Sequence, residues 1–279
     1  MTRFLLLFLL VGQAQAMDLQ GHRGARGHLP ENSLPAFEWA LGRGVDTLEL
    51  DCGITRDGVV VVHHDRRLNP DLARGPDGKW VAAPGPTIRS LTFAELQRYD
   101  VGPLRPRSEY APRFPHQQPM DGTRIPRLDE VLKLKAKFNI ETKLSPDHPE
   151  ETVGPEEFAR SLIEEIRKAR AKATIQSFDW RTLKVVEREA PEIETVYLTN
   201  GVDSDPVKVA AAGGKIWSPN YQDLTQAKLE TARARGLKVV VWTVNETTDI
   251  VRMLEMRLEG IISDYPDRVM AELKRRRVR

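Results

Sequence analysis

Two histidines and three carboxylates carry the chemistry legible in this sequence. Gly21-His22-Arg23-Gly24, Pro30-Glu31-Asn32, Glu49-Leu50-Asp51 and His63-His64-Asp65 crowd its first quarter, and Asn139-Ile140-Glu141-Thr142-Lys143 follows later. Imidazoles move protons near neutral pH. Carboxylates two apart on a strand project to one face and can hold a hard cation. Together they supply what metal-assisted cleavage of a phosphate ester requires.

These residues need elements to bring them together. Strand-like and helix-like runs alternate along the chain. Candidate strands are 19–22, 45–52, 138–143, 174–178, 193–198, 215–218, 237–244 and 260–263. A further β-branched run, Val59–Val62, enters through the Asp57-Gly58 turn and reads as a hairpin with the second strand. Candidate helices are 33–43, 128–137, 155–171, 181–189, 206–212, 225–235, 247–256 and 266–277. Phe158, Leu162, Ile163 and Ile166 mark one apolar face of the third. Eight strand-helix units predict an α/β fold, a (β/α)8 TIM barrel, rather than a doubly wound open sheet. Residues 66–126 interrupt the pattern after the second strand region. They are rich in Pro, Arg and Gly, carry one short helix signal at 92–98, and read as an irregular insertion.

In a barrel, active groups sit at the C-terminal ends of the strands. His22 ends the first, Glu49 and Asp51 the second, Glu141 the third. Alternation puts Glu49 and Asp51 on one face and Leu48, Leu50 and Cys52 on the other. Three carboxylates at one mouth repel unless a cation neutralises them, and all-oxygen ligation favours one Ca2+ or Mg2+ over zinc. The bland alternative is a salt-bridged pair. His22 and His64 are the acid and base candidates. His63 competes with His64, and at most one of the two neighbours faces the site. Arg23 and Lys143 are placed to hold a phosphate. Asn32 or Ser33 reads as the helix cap and Glu31 as a support of the centre. Trp242 reads either as core or as a wall for the non-ionic part of a substrate.

Composition bounds the rest. The chain has 279 residues, with 42 Lys and Arg against 40 Asp and Glu, a balance that argues against nucleic acid as the partner. Cys52 is the single cysteine, so neither an intrachain disulfide nor a four-cysteine zinc site can form. Residues 1–16 read as an export signal: Met1-Thr2-Arg3, the apolar run Phe4–Val11, then Ala14-Gln15-Ala16. Residues 17–279 then form a single domain, periplasmic or secreted, without a stable membrane anchor. The basic tail Lys274–Arg279 reads as a solvated helix end, with weak attraction to anionic membranes as the alternative.

At these residues the chain resembles the glycerophosphodiester phosphodiesterases. The resemblance lies in the ordered set GHRG (21–24), PENS (30–33), ELD (49–51), TRDG (55–58), HHD (63–65), IPRLDEVL (125–132), NIETK (139–143), QSFD (176–179), VWTVN (241–245) and GIISDYP (260–266). It implies a barrel that hydrolyses small-molecule glycerophosphodiesters to glycerol 3-phosphate and an alcohol. His22 and His64 would be the acid and base, Glu49, Asp51 and Glu141 the metal ligands, and Arg23 and Lys143 the phosphate contacts. It further implies attack by the neighbouring glycerol hydroxyl, giving a cyclic phosphate that water opens, and an insertion lying over the substrate. Ser33 stands where the family often has Thr, and Arg66-Arg67 where it often has Arg-Thr. The competing readings are a related barrel phospholipase acting on intact or lyso-lipids, and a non-catalytic phosphodiester-binding protein.

Overall fold

The computed structural model describes residues 17–276. The expected export signal and the last three residues of the basic tail lie outside them. Nine strands form one sheet: β1 (Asp18–Gly21), β2 (Thr47–Ile54), β3 (Val60–Val62), β4 (Lys137–Thr142), β5 (Lys172–Ser177), β6 (Thr195–Thr199), β7 (Ile216–Pro219), β8 (Lys238–Val241) and β9 (Gly260–Ser263). Eight run parallel in the order β1-β9-β8-β7-β6-β5-β4-β2, and a β1–β2 pairing closes the ring. The ninth, β3, folds back antiparallel on β2 with Val62 opposite Cys52. This is the expected barrel, with the hairpin where Asp57-Gly58 predicts it.

Strand alternation decides what enters the barrel. Leu48, Leu50, Phe138, Ile140, Tyr197, Trp217, Val239 and Ile261 belong to the main core against the outer helices. Their neighbours point inward. On β1, β2, β4 and β5 these are buried Gln20, Glu49, Asp51, Asn139, Glu141 and Gln176. On β6 to β9 they are Val196, Ile216, Val240 and Ile262, a separate apolar cluster with Trp242 packed on it. One half of the barrel interior is therefore polar and the other apolar.

The helices follow their sequence signals. In α1 (Leu34–Gly42) the Ser33 side chain accepts from Ala36 N–H at the first turn. Helix α4 (Pro155–Ala169) starts with proline at its first position and buries Phe158, Leu162, Ile163 and Ile166. Two expectations need correction. The helix expected over 128–137 is a single turn, α3 (Leu128–Val131), because the chain must turn to enter β4 at Lys137. The insertion is less irregular than its composition suggests. It holds a short helix, α2 (Phe93–Leu96), capped reciprocally by Thr92 and Glu95, and two 3-10 turns, 88–90 and 111–113. Leu68, Ala73, Val81, Ile88, Leu96 and Ile125 give it a core of its own with Val61. Of the tail, Arg275 and Arg276 pair with Glu272 and Glu255. Among the described residues no helix is long and apolar enough to cross a membrane.

Candidate active site

Register aligns the acids. In the β2–β4 ladder Asp51 stands opposite Glu141 and Glu49 opposite Asn139. Carboxylate oxygens of Glu49, Asp51 and Glu141 all lie within 4.8 Å of one another, and all three residues are buried. Burial, then the charges of Asp51 and Glu141, push the Glu49 carboxyl well above the usual carboxylate range. Asp51 Oδ1 has no hydrogen-bond partner although it is buried. Converging oxygens, mutual repulsion and a buried unpaired acceptor fit a hard divalent cation. A second trio, His148, Glu150 and Glu151, is mostly exposed, and Glu151 is already taken by Arg66 and Arg67.

The loop after β1 reaches these acids through strained backbone. Arg23 and Asn32 have φ of 50° and 54°, and Gly24 has φ of 84°. A Cβ at Gly24 would lie 2.8 Å from the Ala36 carbonyl carbon of α1, so only glycine fits there. The bend turns Arg23 N–H onto Glu49 Oε2 at 2.9 Å. Arg23 Nη1 donates to Glu31 Oε1 at 2.8 Å, and its Nε stands 3.2 Å from Asp51 Oδ2. Asn32 serves Asp51 twice: its Nδ2 donates to Oδ2 at 2.9 Å, and its Oδ1 accepts Asp51 N–H at 3.2 Å. Ser33, not Asn32, caps α1. Lys143 Nζ donates to Glu141 Oε1 at 2.7 Å and lies 3.7 Å from Asp51 Oδ1.

Each imidazole is held by an aspartate. His22 Nδ1 lies 2.6 Å from Asp264 Oδ1, and its Nε2 lies 3.9 Å from Glu49 Oε2. Burial lowers the His22 pKa to about 4, outweighing Asp264, so the ring is neutral at pH 7. His64 Nδ1 lies 2.6 Å from Asp65 Oδ1, and its Nε2 lies 3.0 Å from Lys143 Nζ. Burial, Arg23 and Lys143 lower its pKa as well. A carboxylate at Nδ1 selects the Nδ1–H tautomer and leaves Nε2 able to take a proton. His63 is buried and lines no part of this cavity.

His22, Arg23, Glu49, His64, Glu141, Lys143 and Trp242 line one cavity of about 410 Å3 at the C-terminal mouth of the barrel. Asp51, Glu31 and Asn32 stand directly behind it through the bonds above. Its far wall is aromatic. Phe178, which is 43% exposed, meets Trp242 edge to face at 5.5 Å, and Trp242 Nε1 donates to Ser218 O at 2.9 Å.

Four contributors escaped sequence reasoning. Asp264 holds His22, and Asn245 Nδ2 donates to Asp264 at 2.7 Å. Gln176 Nε2 donates to Glu49 Oε1 at 2.7 Å. Tyr110, from the insertion, donates its hydroxyl to Glu31. The first three sit at strand ends inside matched segments, which is the one signal that could have flagged them. Tyr110 has none.

Comparison with known proteins agrees with this geometry. The model of the Glycerophosphoryl diester phosphodiesterase family matches residues 22–268. A glycerophosphodiester phosphodiesterase of Bacillus altitudinis is 31% identical over 258 residues, spanning 89% of this chain and 95% of its own. A Silicibacter pomeroyi DSS-3 protein named for the same family superposes with a TM-score of 0.87 at 34% identity, over 94% of this chain and 95% of that one. An Oleispira antarctica phosphodiesterase, solved with its product sn-glycerol-3-phosphate, superposes at 0.74 with 21% identity, over 92% and 96%. At that identity the likeness is one of fold.

Proposed function

This chain belongs to the glycerophosphoryl diester phosphodiesterase family and hydrolyses glycerophosphodiesters, and we propose that it does so by acid-base catalysis between His22 and His64. The observation that carries this reading is the convergence at one cavity of two carboxylate-held imidazoles, the carboxylates of Glu49 and Glu141 with Asp51 directly behind them, and the cations Arg23 and Lys143.

Barrel topology orients the substrate. His22 and Asp264 follow β1 and β9, beside Trp242 after β8. His64 follows β3, the hairpin partner of β2, and touches Lys143 after β4, which stands opposite β8 and its Trp242 in the ring. The glycerol end packs on Trp242 and Phe178, and its phosphate lies between Arg23 and Lys143. Neutral His22 takes the proton of the glycerol hydroxyl next to the phosphodiester, and that oxygen attacks phosphorus. Attacking and leaving oxygens stand in line, so the leaving alcohol departs on the opposite side, where His64 protonates it. The anionic phosphate raises the proton affinity of His64 for that task. Water then opens the cyclic phosphate with the two histidines in exchanged roles, releasing glycerol 3-phosphate. Glu49, Asp51 and Glu141 would hold a Ca2+ or Mg2+, which would supply positive charge to the bound phosphate. On the leader at residues 1–16 we place the enzyme in the periplasm or outside the cell; secreted material beginning at Met1 would refute that.

The test is release of glycerol 3-phosphate from glycerophosphocholine, abolished by EDTA and restored by Ca2+ or Mg2+. His22→Ala and His64→Ala should each lower kcat by ~10²–10⁴-fold. Absence of turnover of any glycerophosphodiester with metal present refutes the reading.

A further inference from the structure

Two cavities meet at His64 and Lys143. Beside the catalytic one, a second of about 480 Å3 opens between the turn after β3 and residues 83–85, and the same His64 and Lys143 stand in its wall. Arg66, Arg67 and Glu151 form much of the rest.

The two arginines share one carboxylate. Arg66 Nε donates to Glu151 Oε2 at 2.8 Å and Arg67 Nε to Glu151 Oε1 at 2.6 Å. Arg67 Nη1 also donates to Gly85 O at 3.0 Å. Among the described residues no acceptor meets the terminal nitrogens of Arg66. Arg66, Arg67 and Lys143 against the carboxylates of Asp65 and Glu151 leave the wall net positive. Glu151 holds both side chains through Nε, so their planes are set while the terminal nitrogens of Arg66 and Nη2 of Arg67 stay available. Guanidinium donors in fixed planes suit a carboxylate.

We infer that this second cavity receives the leaving alcohol, and that Arg66 and Arg67 select a headgroup carrying its own carboxylate. The inference rests on the histidine assignment above. In-line departure past His64 sends the alcohol away from the Trp242 wall, and the space beyond His64 is this cavity. Of the pair, Arg67 stands where the family often has Thr, while Arg66 matches the family's Arg.

Glycerophosphoserine and glycerophosphoethanolamine differ by one carboxylate, which makes their kcat/KM ratio the direct readout. The wild-type ratio should favour the serine diester by on the order of tenfold to a hundredfold, the range of one hydrogen bond to a charged group. In Arg66→Gln and Arg67→Gln the ratio should fall toward one, as it should for the wild type in high salt. The ethanolamine diester is the internal reference, so general damage to the enzyme cancels from the ratio. An equal ratio in the wild type overturns the inference, as does a preference that survives both substitutions. If no diester is cleaved at all, the catalytic reading fails separately. Calorimetric Kd values for the two diesters then decide the subsite, and equal values overturn it.

Discussion

Asp264→Asn isolates the group that orients His22. Asp264 is 1% exposed. Every partner of its side chain is a donor: His22 Nδ1 at 2.6 Å, Arg26 Nε at 2.8 Å, Arg26 Nη2 at 3.2 Å and Asn245 Nδ2 at 2.7 Å. Asn245 cannot turn its amide to compensate, because its Oδ1 accepts Asp264 N–H at 2.9 Å. An asparagine offers one oxygen, so its NH2 must face donors on one side. Turned toward His22, it makes Nδ1 an acceptor and moves the ring proton to Nε2, where the base is needed. We expect kcat to fall by ~10²–10⁴-fold, the worth of a general base. Stability falls too, because buried Arg26 loses its charge partner. Breaking such a pair costs about 3–5 kcal/mol. Arg26 keeps Glu31 at 3.8 Å and the Phe114 ring at 4.5 Å, which places the loss near the lower end, ~3 kcal/mol. At roughly 2–4 °C per kcal/mol for a domain of this size, Tm drops by about 6–12 °C. The pH dependence has a definite sign. Burial opposes ionisation of Asp264, but Arg26 and His22 hold its carboxyl well below the usual range. Its contribution is therefore full above the unfolded pKa of about 3.9 and is lost as pH falls toward the folded value. The wild-type advantage over the variant should be constant near neutrality and shrink only below about pH 4. Steady-state kinetics and thermal melts from pH 3 to 8 measure both effects. A variant within threefold of wild-type kcat would refute the orienting role.

Three further outcomes follow from other contacts. Tyr110→Phe removes the hydroxyl that holds Glu31, and Glu31 holds Arg23; KM should rise by about tenfold, within the range of a hydrogen bond to a charged group, with kcat changed less. Asp51→Asn should weaken Ca2+ or Mg2+ affinity by at least about tenfold in a calorimetric titration, since one ligand charge is lost; unchanged affinity would place the ion elsewhere. Trp217→Ala, at a fully buried ring bonded through Nε1 to Thr199 Oγ1, should cost about 3–5 kcal/mol in urea unfolding through loss of packing against the outer helices.

Local physics made the elements and the first ring of site residues legible. Strand periodicity separated Glu49 and Asp51 from Leu48 and Leu50, and the rule that barrel strands end at the active face pointed to His22, Glu141 and Lys143. Alternation admitted at most one of His63 and His64 to the site, and the family resemblance pointed to His64. Element ends were harder. The length of α3 depends on where β4 must start, which no local signal encodes.

Residue type and period, being local, sufficed for the barrel, its hairpin and the acidic cluster, while the pairing of His22 with His64 came from the ordered motif set. The supports of that cluster come from chain closure. Asp264 meets His22 across 242 positions because β9 pairs with β1, and Gln176 reaches Glu49 across 127. Tyr110 finds Glu31 because an insertion with its own small core folds back over the mouth. Contacts of that range depend on the packing of the whole chain, so they carry no short-range mark in the sequence. The division of the barrel interior into a polar and an apolar half, and the second cavity behind His64, have the same origin.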